Sequence, residues 1–394
     1  MAKINPAELQ EAINAVHKYG SVSNAAKKLG VPRKTLSGRY NKAKDLGYAP
    51  GGPVLSVDEE IAVDTRLKRM AQEKRDVERK YKEVLQLLEQ KDKELEEFGS
   101  FKNLIDLAST EPIEVKQKSH TGSEVTPVLC FSDLHYEEYV DPRTINDLNA
   151  YNIDIAKYRS NKFFENSIKL IEMCRSKSDI KTLVLWLGGD MINGYIHEEY
   201  QETNLLSPIE SSIEVFGLLI SGIDYLLENS GCEELIIVEN VGNHGRTTKE
   251  RRISTNVQTS YEWLIYNFIA KHYEKDKRVK FKFTRGYFNL LDVYGYTIRF
   301  HHGENCRYGG GVGGLTIPLN KAIAMWNQSK KADIDVLGHW HQRMCHKDFV
   351  VNGSIIGYNP YAMSIKAQFE KPQQSFFLVH PKWGKTVEAP IFLD

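Results

Sequence analysis

Five short stretches carry the side chains that could do chemistry: Asp133-Leu134-His135, Gly188-Gly189-Asp190, Gly242-Asn243-His244, His302-Gly303 and Gly338-His339-Trp340-His341. Together they supply carboxylates, imidazoles and one amide oxygen, the donors that hold borderline divalent ions side by side. Two cations about 3.5–4 Å apart repel strongly, so a bridging anion is needed, and the two oxygens of Asp190 suit that role. Gly188 and Gly189 let backbone approach closely just before Asp190. A lone D-x-H or G-N-H arises often by chance. All five stretches in this order, each at a strand end, form a far more specific signal.

The elements that would position them are apolar runs with strand character: Val128 to Phe131, Leu183 to Leu187, Leu235 to Val238, Ile298 to Phe300 and Val336 to Leu337. Successive strand side chains face opposite ways, so Asp133 with His135, and His339 with His341, are expected to project together. The same alternation sets His302 with Ile298 and Phe300, and turns His301 toward Arg299. His17, His120, His272, His346 and His380 read as core or surface histidines. Helical segments are expected at 156–174, 208–228, 256–273 and 316–330, between the strands. That alternation gives an α/β core over 126–394, with a strand-rich C-terminal stretch expected to complete a second sheet. Cys306 to Leu315 is glycine-rich and reads as a substrate-facing loop or a plain linker.

Ahead of this core, residues 1–49 read as three short helices. Pro6 opens the first and Gly20 closes it, Ser21 caps the second, and Gly30-Val31-Pro32 turns into a polar, basic third. Arg33, Lys34, Thr35, Ser37, Arg39, Tyr40 and Lys42 on that third helix are the candidate DNA-contacting residues. The small residues, turn glycine and basic last helix resemble a helix-turn-helix DNA-binding domain. A protein-contact module with a solvated basic face is the alternative. A Pro/Gly-rich linker (50–57) leads to a charged helix over 58–98. Its stride of four and three residues picks out Val63, Leu67, Met70, Val77, Tyr81, Val84, Leu88, Leu95 and Phe98, broken by Lys74 and Lys91. Such a seam predicts a coiled coil and a homo-oligomer, the alternative being one amphipathic helix lying on the core. Residues 99–125 read as a second linker.

The 394 residues carry 41% hydrophobic and 26% charged residues, the balance of a globular protein with two or three units. No apolar run is long enough to span a bilayer and no secretory h-region is visible, so a cytoplasmic location without membrane contact is expected. Five scattered cysteines without a C-x-x-C pair argue against a disulfide framework and a zinc ribbon. Net charge is zero overall, yet residues 1–50 hold nine Lys or Arg against three acids, a local +6. Polyanion contact is therefore expected at the N-terminal end.

The order and spacing of the five stretches resemble the calcineurin-like metallophosphoesterases, the superfamily that holds SbcD-type nucleases. The resemblance implies a sandwich of two mixed sheets flanked by helices, with the site at the strand ends. It further implies two divalent ions, Mn²⁺ first among Mn, Fe, Zn, Ni and Mg. One would be held by Asp133, His135, Asp190 and His341, and the other by Asp190, Asn243, His302 and His339. His244 would act on the phosphoryl charge or the leaving oxygen, while metal-activated hydroxide attacks phosphorus in line. Relatives often carry an acid after Gly-Asn-His; here Gly245-Arg246 follows, making Arg246 a candidate phosphate clamp. Joined to a helix-turn-helix, such a core is similar to phosphoesterases encoded by bacteriophages, which would place it in a bacterial host. The implied function is DNA cleavage. The rivals are a phosphatase or cyclic-nucleotide phosphodiesterase with the same metals, and a DNA-binding regulator with a vestigial site.

Overall fold

The computed structural model describes residues 5–52, 69, 72, 75, 76, 79, 80, 82, 113–118, 122–306 and 314–394. The expected coiled-coil seam and the glycine-rich residues 307–313 lie outside them. The chain divides into two compact units, Met1–Gly99 and Ser100–Asp394.

In the first unit α1 (Pro6–Tyr19), α2 (Val22–Leu29) and α3 (Arg33–Asp45) follow the sequence signals. Asn5 and Glu8 form a reciprocal capping box at α1, and Gly20 ends it in a left-handed conformation (φ 75°). Ser21 caps α2, and Pro32 takes the N-cap position of α3. Leu9, Ile13 and Ala43 form one small core; Ala12, Ala25, Ala26 and Leu36 form another, and Tyr40 packs against both. Alanines at these contacts let three short helices approach closely.

The second unit holds two six-stranded mixed sheets. One runs β1 (Glu114–Val115), β6 (Asn289–Val293), β7 (Tyr296–His301), β8 (Ile334–Leu337), β10 (Phe349–Val351), β9 (Met344–Cys345). The other runs β12 (Gly384–Phe392), β11 (Gln373–His380), β2 (Thr126–Phe131), β3 (Thr182–Leu187), β4 (Glu234–Glu239), β5 (Val279–Lys282). Helices α4 (Ile153–Arg175), α5 (Tyr200–Thr203), α6 (Pro208–Asn229), α7 (Tyr261–His272), α8 (Thr316–Trp326) and α9 (Pro360–Ser364) are the α-helices described in this unit, beside two short 3-10 turns.

Strand alternation explains the layering. On β2, β3 and β4 one face (Val128, Cys130, Val184, Trp186, Ile236, Val238) meets Ile298, Phe300, Ile334 and Val336 of the other sheet. The opposite face (Leu129, Phe131, Leu183, Leu185, Leu187, Leu235, Ile237) packs with Phe163, Ile168, Leu219, Ile223, Ile265 and Ile269 of the helices. A third cluster joins Leu319 and Ile323 of α8 to Leu337, Phe349 and Val351. The C-terminal strands divide between the sheets: β10 pairs with β8, whereas β11 pairs antiparallel with β2. Within the stretch read as the second linker, Glu114–Val115 adds a parallel edge strand beside β6, with Val115 buried. Two residues are too few to leave a periodic signal in sequence.

Register is what gathers the site. Phe131, Leu187 and Glu239 lie side by side at the carboxyl ends of three parallel strands. His301 and Leu337 are likewise paired at the end of β7 and β8. The chain leaves all five strands at one edge of the sandwich, as α/β sheets do at their binding crevices. No helix among the described residues is long and apolar enough to cross a membrane.

Candidate metal centre

Asp133 and His135 lie beyond β2 and not on it, so strand alternation is not what aligns them. Both take positive φ (55° and 47°), as do Asp190 (51°), His339 (68°) and His341 (54°). Five of the nine non-glycine residues with positive φ among those described thus belong to this one site. Left-handed backbone costs an L-residue about 1–2 kcal/mol, and it persists where surrounding bonds over-determine it. Those bonds are present: the Asp133 N–H donates to the Gly189 carbonyl (3.0 Å) and that of His135 to the Asp190 carbonyl (3.0 Å). The His339 N–H donates to Asp133 Oδ1 (2.9 Å), and the His244 N–H to Asp190 Oδ1 (2.8 Å). Glycines allow the approach: a Cβ on Gly189 would strike the Gly242 backbone, and one on Gly242 would strike Asp190.

The donors converge. Ligand-capable atoms of Asp133, His135 and His341 lie within 4.8 Å of one another, as do those of His135, Asp190 and His244, and those of Asp190, His302 and His339. His302 Nε2 is 3.0 Å from Asp190 Oδ2 and 3.2 Å from Asn243 Oδ1. His341 Nε2 is 3.4 Å from Asp133 Oδ1 and 3.2 Å from His135 Nε2; His135 Nε2 is 3.9 Å from Asp190 Oδ2. Donors about 2.1 Å from a common ion are separated by roughly 3.0–3.4 Å at octahedral or tetrahedral angles. Four of these five separations fall in that window. His135, Asp190 and His302 are almost wholly buried.

Three imidazoles have their outer nitrogen tied to a neutral oxygen. His302 Nδ1 meets the Gly188 carbonyl (2.8 Å), His135 Nδ1 the Asn193 side-chain oxygen (3.0 Å), and His244 Nδ1 the Asn193 carbonyl (3.1 Å). An acceptor there fixes Nδ1–H and leaves the Nε2 lone pair toward the centre, the orientation that ligand histidines need. Electrostatics agree for His135, His339 and His244 but not for His302 and His341. At those two burial pushes downward, yet the charge of Asp190 and the hydrogen bond to Asp133, respectively, prevail and raise the imidazole. Burial, then the charge of His244, pushes His135 down to about 3; burial and His302 push His339 down to about 3; burial takes His244 to about 4. For Asp190, burial pushes upward, but the His302 and His244 charges prevail and hold it well below the usual carboxylate range. Asp133 is lowered too, its hydrogen bond to His341 overcoming burial. Neutral imidazoles and ionised carboxylates are the protonation states that bind metal.

Several supports carried no signal in sequence. Glu262, fully buried on α7, accepts from the Met191 and Gly242 N–H groups (2.6 Å each), joining the loops after β3 and β4. Burial and the charge of Asp190 push its carboxyl up to about 8. Asn193 orients two imidazoles at once. Asn352 donates to Ser132 Oγ (2.9 Å) and Gln374 Oε1 (2.8 Å), Gln374 Oε1 accepts from the Ser132 N–H (2.9 Å), and the Ser132 hydroxyl donates to Asp133. Residues this far apart in the chain meet only in the fold, and no local pattern marks them.

Other candidate residues are placed differently. His301 turns away with Arg299, and both face Asp335 (3.4 Å each). Arg246 donates to the carbonyls of Asn243, Thr248 (3.1 Å) and Lys249 (3.0 Å), so its guanidinium braces its own loop. On α3, Arg33, Lys34, Thr35 and Lys42 are exposed and Ser37 is half-buried. Arg39 pairs with Glu8 of α1 (2.7 Å), and Tyr40 packs between the small cores, so these two hold the helices together.

Residues 5–45 match the family model of the helix-turn-helix, Psq domain. A comparison with curated protein sequences finds no match. Among solved structures the chain is similar to the sulfate thiohydrolase SoxB of Thermus thermophilus in complex with glycerol, at 10% identity and a TM-score of 0.29. That similarity covers 71% of this chain, which spans 58% of the SoxB chain.

Proposed function

We propose that this chain is a calcineurin-like metallophosphoesterase that hydrolyses phosphodiester bonds in DNA and is brought to DNA by its N-terminal helices. The observation that carries the reading is the overlap of the donor groups. Asp190 groups with His302 and His339 on one side and with His135 on the other, and His135 in turn groups with Asp133 and His341, so two cation sites would share the Asp190 carboxylate. In this reading Asp133, His135, Asp190 and His341 hold one ion, and Asp190, Asn243, His302 and His339 the other. Mn²⁺ suits the mixed nitrogen and oxygen set. The ions, when bound, supply Lewis acidity that neutralises the phosphoryl oxygens and makes water acidic enough to yield a nucleophile at neutral pH.

The remaining steps belong to the chain's own residues. Asp190 and the imidazoles would hold the ions in the positions against which the phosphate is oriented. His244, its Nδ1 on the Asn193 carbonyl, turns Nε2 toward the leaving oxygen. As the phosphorus–oxygen bond to the leaving nucleoside breaks and that to water oxygen forms, charge builds on the leaving oxygen. His244 Nε2, unprotonated while Nδ1–H is held by the Asn193 carbonyl, would first take a proton from the surrounding water and deliver it to that oxygen.

DNA as substrate is supported by the match to a helix-turn-helix family and by the exposed basic face of α3. It is also supported by Arg251, Arg252 and Arg285, which line a pocket with Asn240 and Glu304, each within three residues of a centre donor. Arg251 faces Glu304 (3.6 Å) and donates to Asn305 (2.6 Å). Arg252 and Arg285 are exposed and border the same pocket, where a backbone phosphate would meet positive charge. The test incubates purified protein and Mn²⁺ with plasmid, oligonucleotides, cyclic nucleotides and an aryl phosphomonoester. Cleavage of DNA is expected; activity confined to the small molecules would overturn the nuclease reading.

A further inference from the structure

The centre opens into a cleft of its own character. Its floor holds His135, Asp190, Asn243, His339 and His341; its walls are Ile196, Tyr200, Trp340, Tyr358, Tyr361 and Ile365. Among the described residues no Lys or Arg lines it. Besides Asp190 its two carboxylates are engaged with the protein: Glu138 accepts from the Asn359 amide (3.0 Å), and Glu370 from the Arg343 N–H (3.0 and 2.8 Å). Tyr361 on α9 is 63% exposed and Ile365 54%, an open apolar rim. The Tyr200 ring lies 5.7 Å from that of His244, so aromatic surface begins directly beside the imidazole that faces the leaving oxygen. The arginine-lined pocket adjoins Asn240 and Glu304 instead and shares no residue with this cleft.

Among the described residues a second phosphate would find no lysine or arginine in this cleft, whereas a flat, uncharged ring would find faces to stack on. We infer that the cleft holds the nucleobase of the leaving nucleotide, and therefore that the enzyme takes unpaired DNA strands. This rests on the phosphodiesterase reading above. A base in a duplex has its faces covered by neighbours and its edge by its partner, so it reaches an aromatic wall only by leaving the stack. A backbone phosphate beyond the scissile one would then find its counter-charge at Arg251, Arg252 and Arg285.

The full-length protein with Mn²⁺ is given end-labelled single-stranded oligonucleotides that differ only by one tetrahydrofuran abasic residue, and the same strands as duplexes. Bis(p-nitrophenyl) phosphate reports the basal chemistry. Cleavage of the phosphate beside the abasic residue is expected to fall ~10-fold or more against the base-bearing strand, and duplex to be cut more slowly than single strand. Tyr361→Ala, at an exposed position, should shrink the ratio between base-bearing and abasic strands, and Tyr361→Phe should preserve it. Equal cleavage with and without the base, or a ratio unmoved by Tyr361→Ala, overturns the inference while hydrolysis of the aryl diester leaves the parent reading standing. Absence of hydrolysis on every substrate removes both.

Discussion

His135 Nε2 and His341 Nε2 face each other at 3.2 Å across the centre. His135 has its Nδ1 on an amide oxygen, so its Nε2 presents a lone pair. Two such nitrogens repel unless a proton or a cation lies between them. His341 resolves this locally by its contact with Asp133, and burial is overcome there so that its pKa is raised. A cation shared by His135, His341 and Asp133 would satisfy all three atoms together.

His244 groups with His135 and Asp190 but adjoins Tyr200, and the proposed reaction uses it at the leaving oxygen. His244→Ala keeps the backbone N–H that bonds Asp190. The variant is expected to retain its metal content and to lose about 10²–10⁴-fold in kcat on a phosphodiester. Elemental analysis beside steady-state kinetics checks this; a metal-depleted variant would count against the assigned role.

Glu262 joins two loops through two N–H groups. In Glu262→Gln one acceptor becomes an NH₂ that faces an N–H donor, leaving a buried donor unsatisfied at a cost of about 1–3 kcal/mol. Thermal unfolding should shift down by several degrees, and kcat/KM should fall by on the order of 10²-fold through misplacement of Asp190 and Asn243. Unchanged melting and turnover would show that the loops hold without it.

Glu239 gives a pH dependence of stability away from the donors. Burial pushes its carboxyl from 4.5 up to about 8. Folded protein therefore keeps a proton that the unfolded chain has released, so stability is full below about pH 4.5 and is lost as pH rises through about 8. The loss approaches 1.4 kcal/mol per pH unit at its steepest. Glu239→Gln retains an acceptor for the Thr284 N–H (3.0 Å in the parent) and removes this titration. Melting curves from pH 5 to 8 should decline less steeply in the variant; parallel declines would exclude the assignment.

Deleting residues 1–50 removes the basic three-helix module from a chain whose second unit has its own cores. DNA affinity at fixed salt should drop at least tenfold, and the salt dependence of binding should flatten. Hydrolysis of bis(p-nitrophenyl) phosphate should persist. Undiminished DNA binding would refute recruitment by these helices.

The α/β character and the small helical module were legible because strong local signals coincide: apolar runs ending in glycine or acid, and caps at Ser21, Gly20 and Gly30. The gathering of the donors was legible too, since five short stretches at strand ends are contiguous in sequence. Their manner of convergence was not. Strand alternation was expected to align Asp133 with His135, whereas left-handed backbone beyond the strand does so, a choice made by tertiary hydrogen bonds. Glu262, Asn193 and the Ser132–Asn352–Gln374 network were invisible for the same reason. Arg39 and Arg246 show the converse. Side-chain type suggested ligand contact, but nearby acceptors, Glu8 and three carbonyls, engage them within the protein.

The most direct test counts metal. Wild-type protein reconstituted with Mn²⁺ and passed through a desalting column should carry two ions per chain by elemental analysis. Anomalous scattering should then place two peaks about 3.5–4 Å apart on either side of Asp190, and Asp190→Asn should lose both the ions and the activity. A single ion, none, or a pair indifferent to Asp190 would contradict the account.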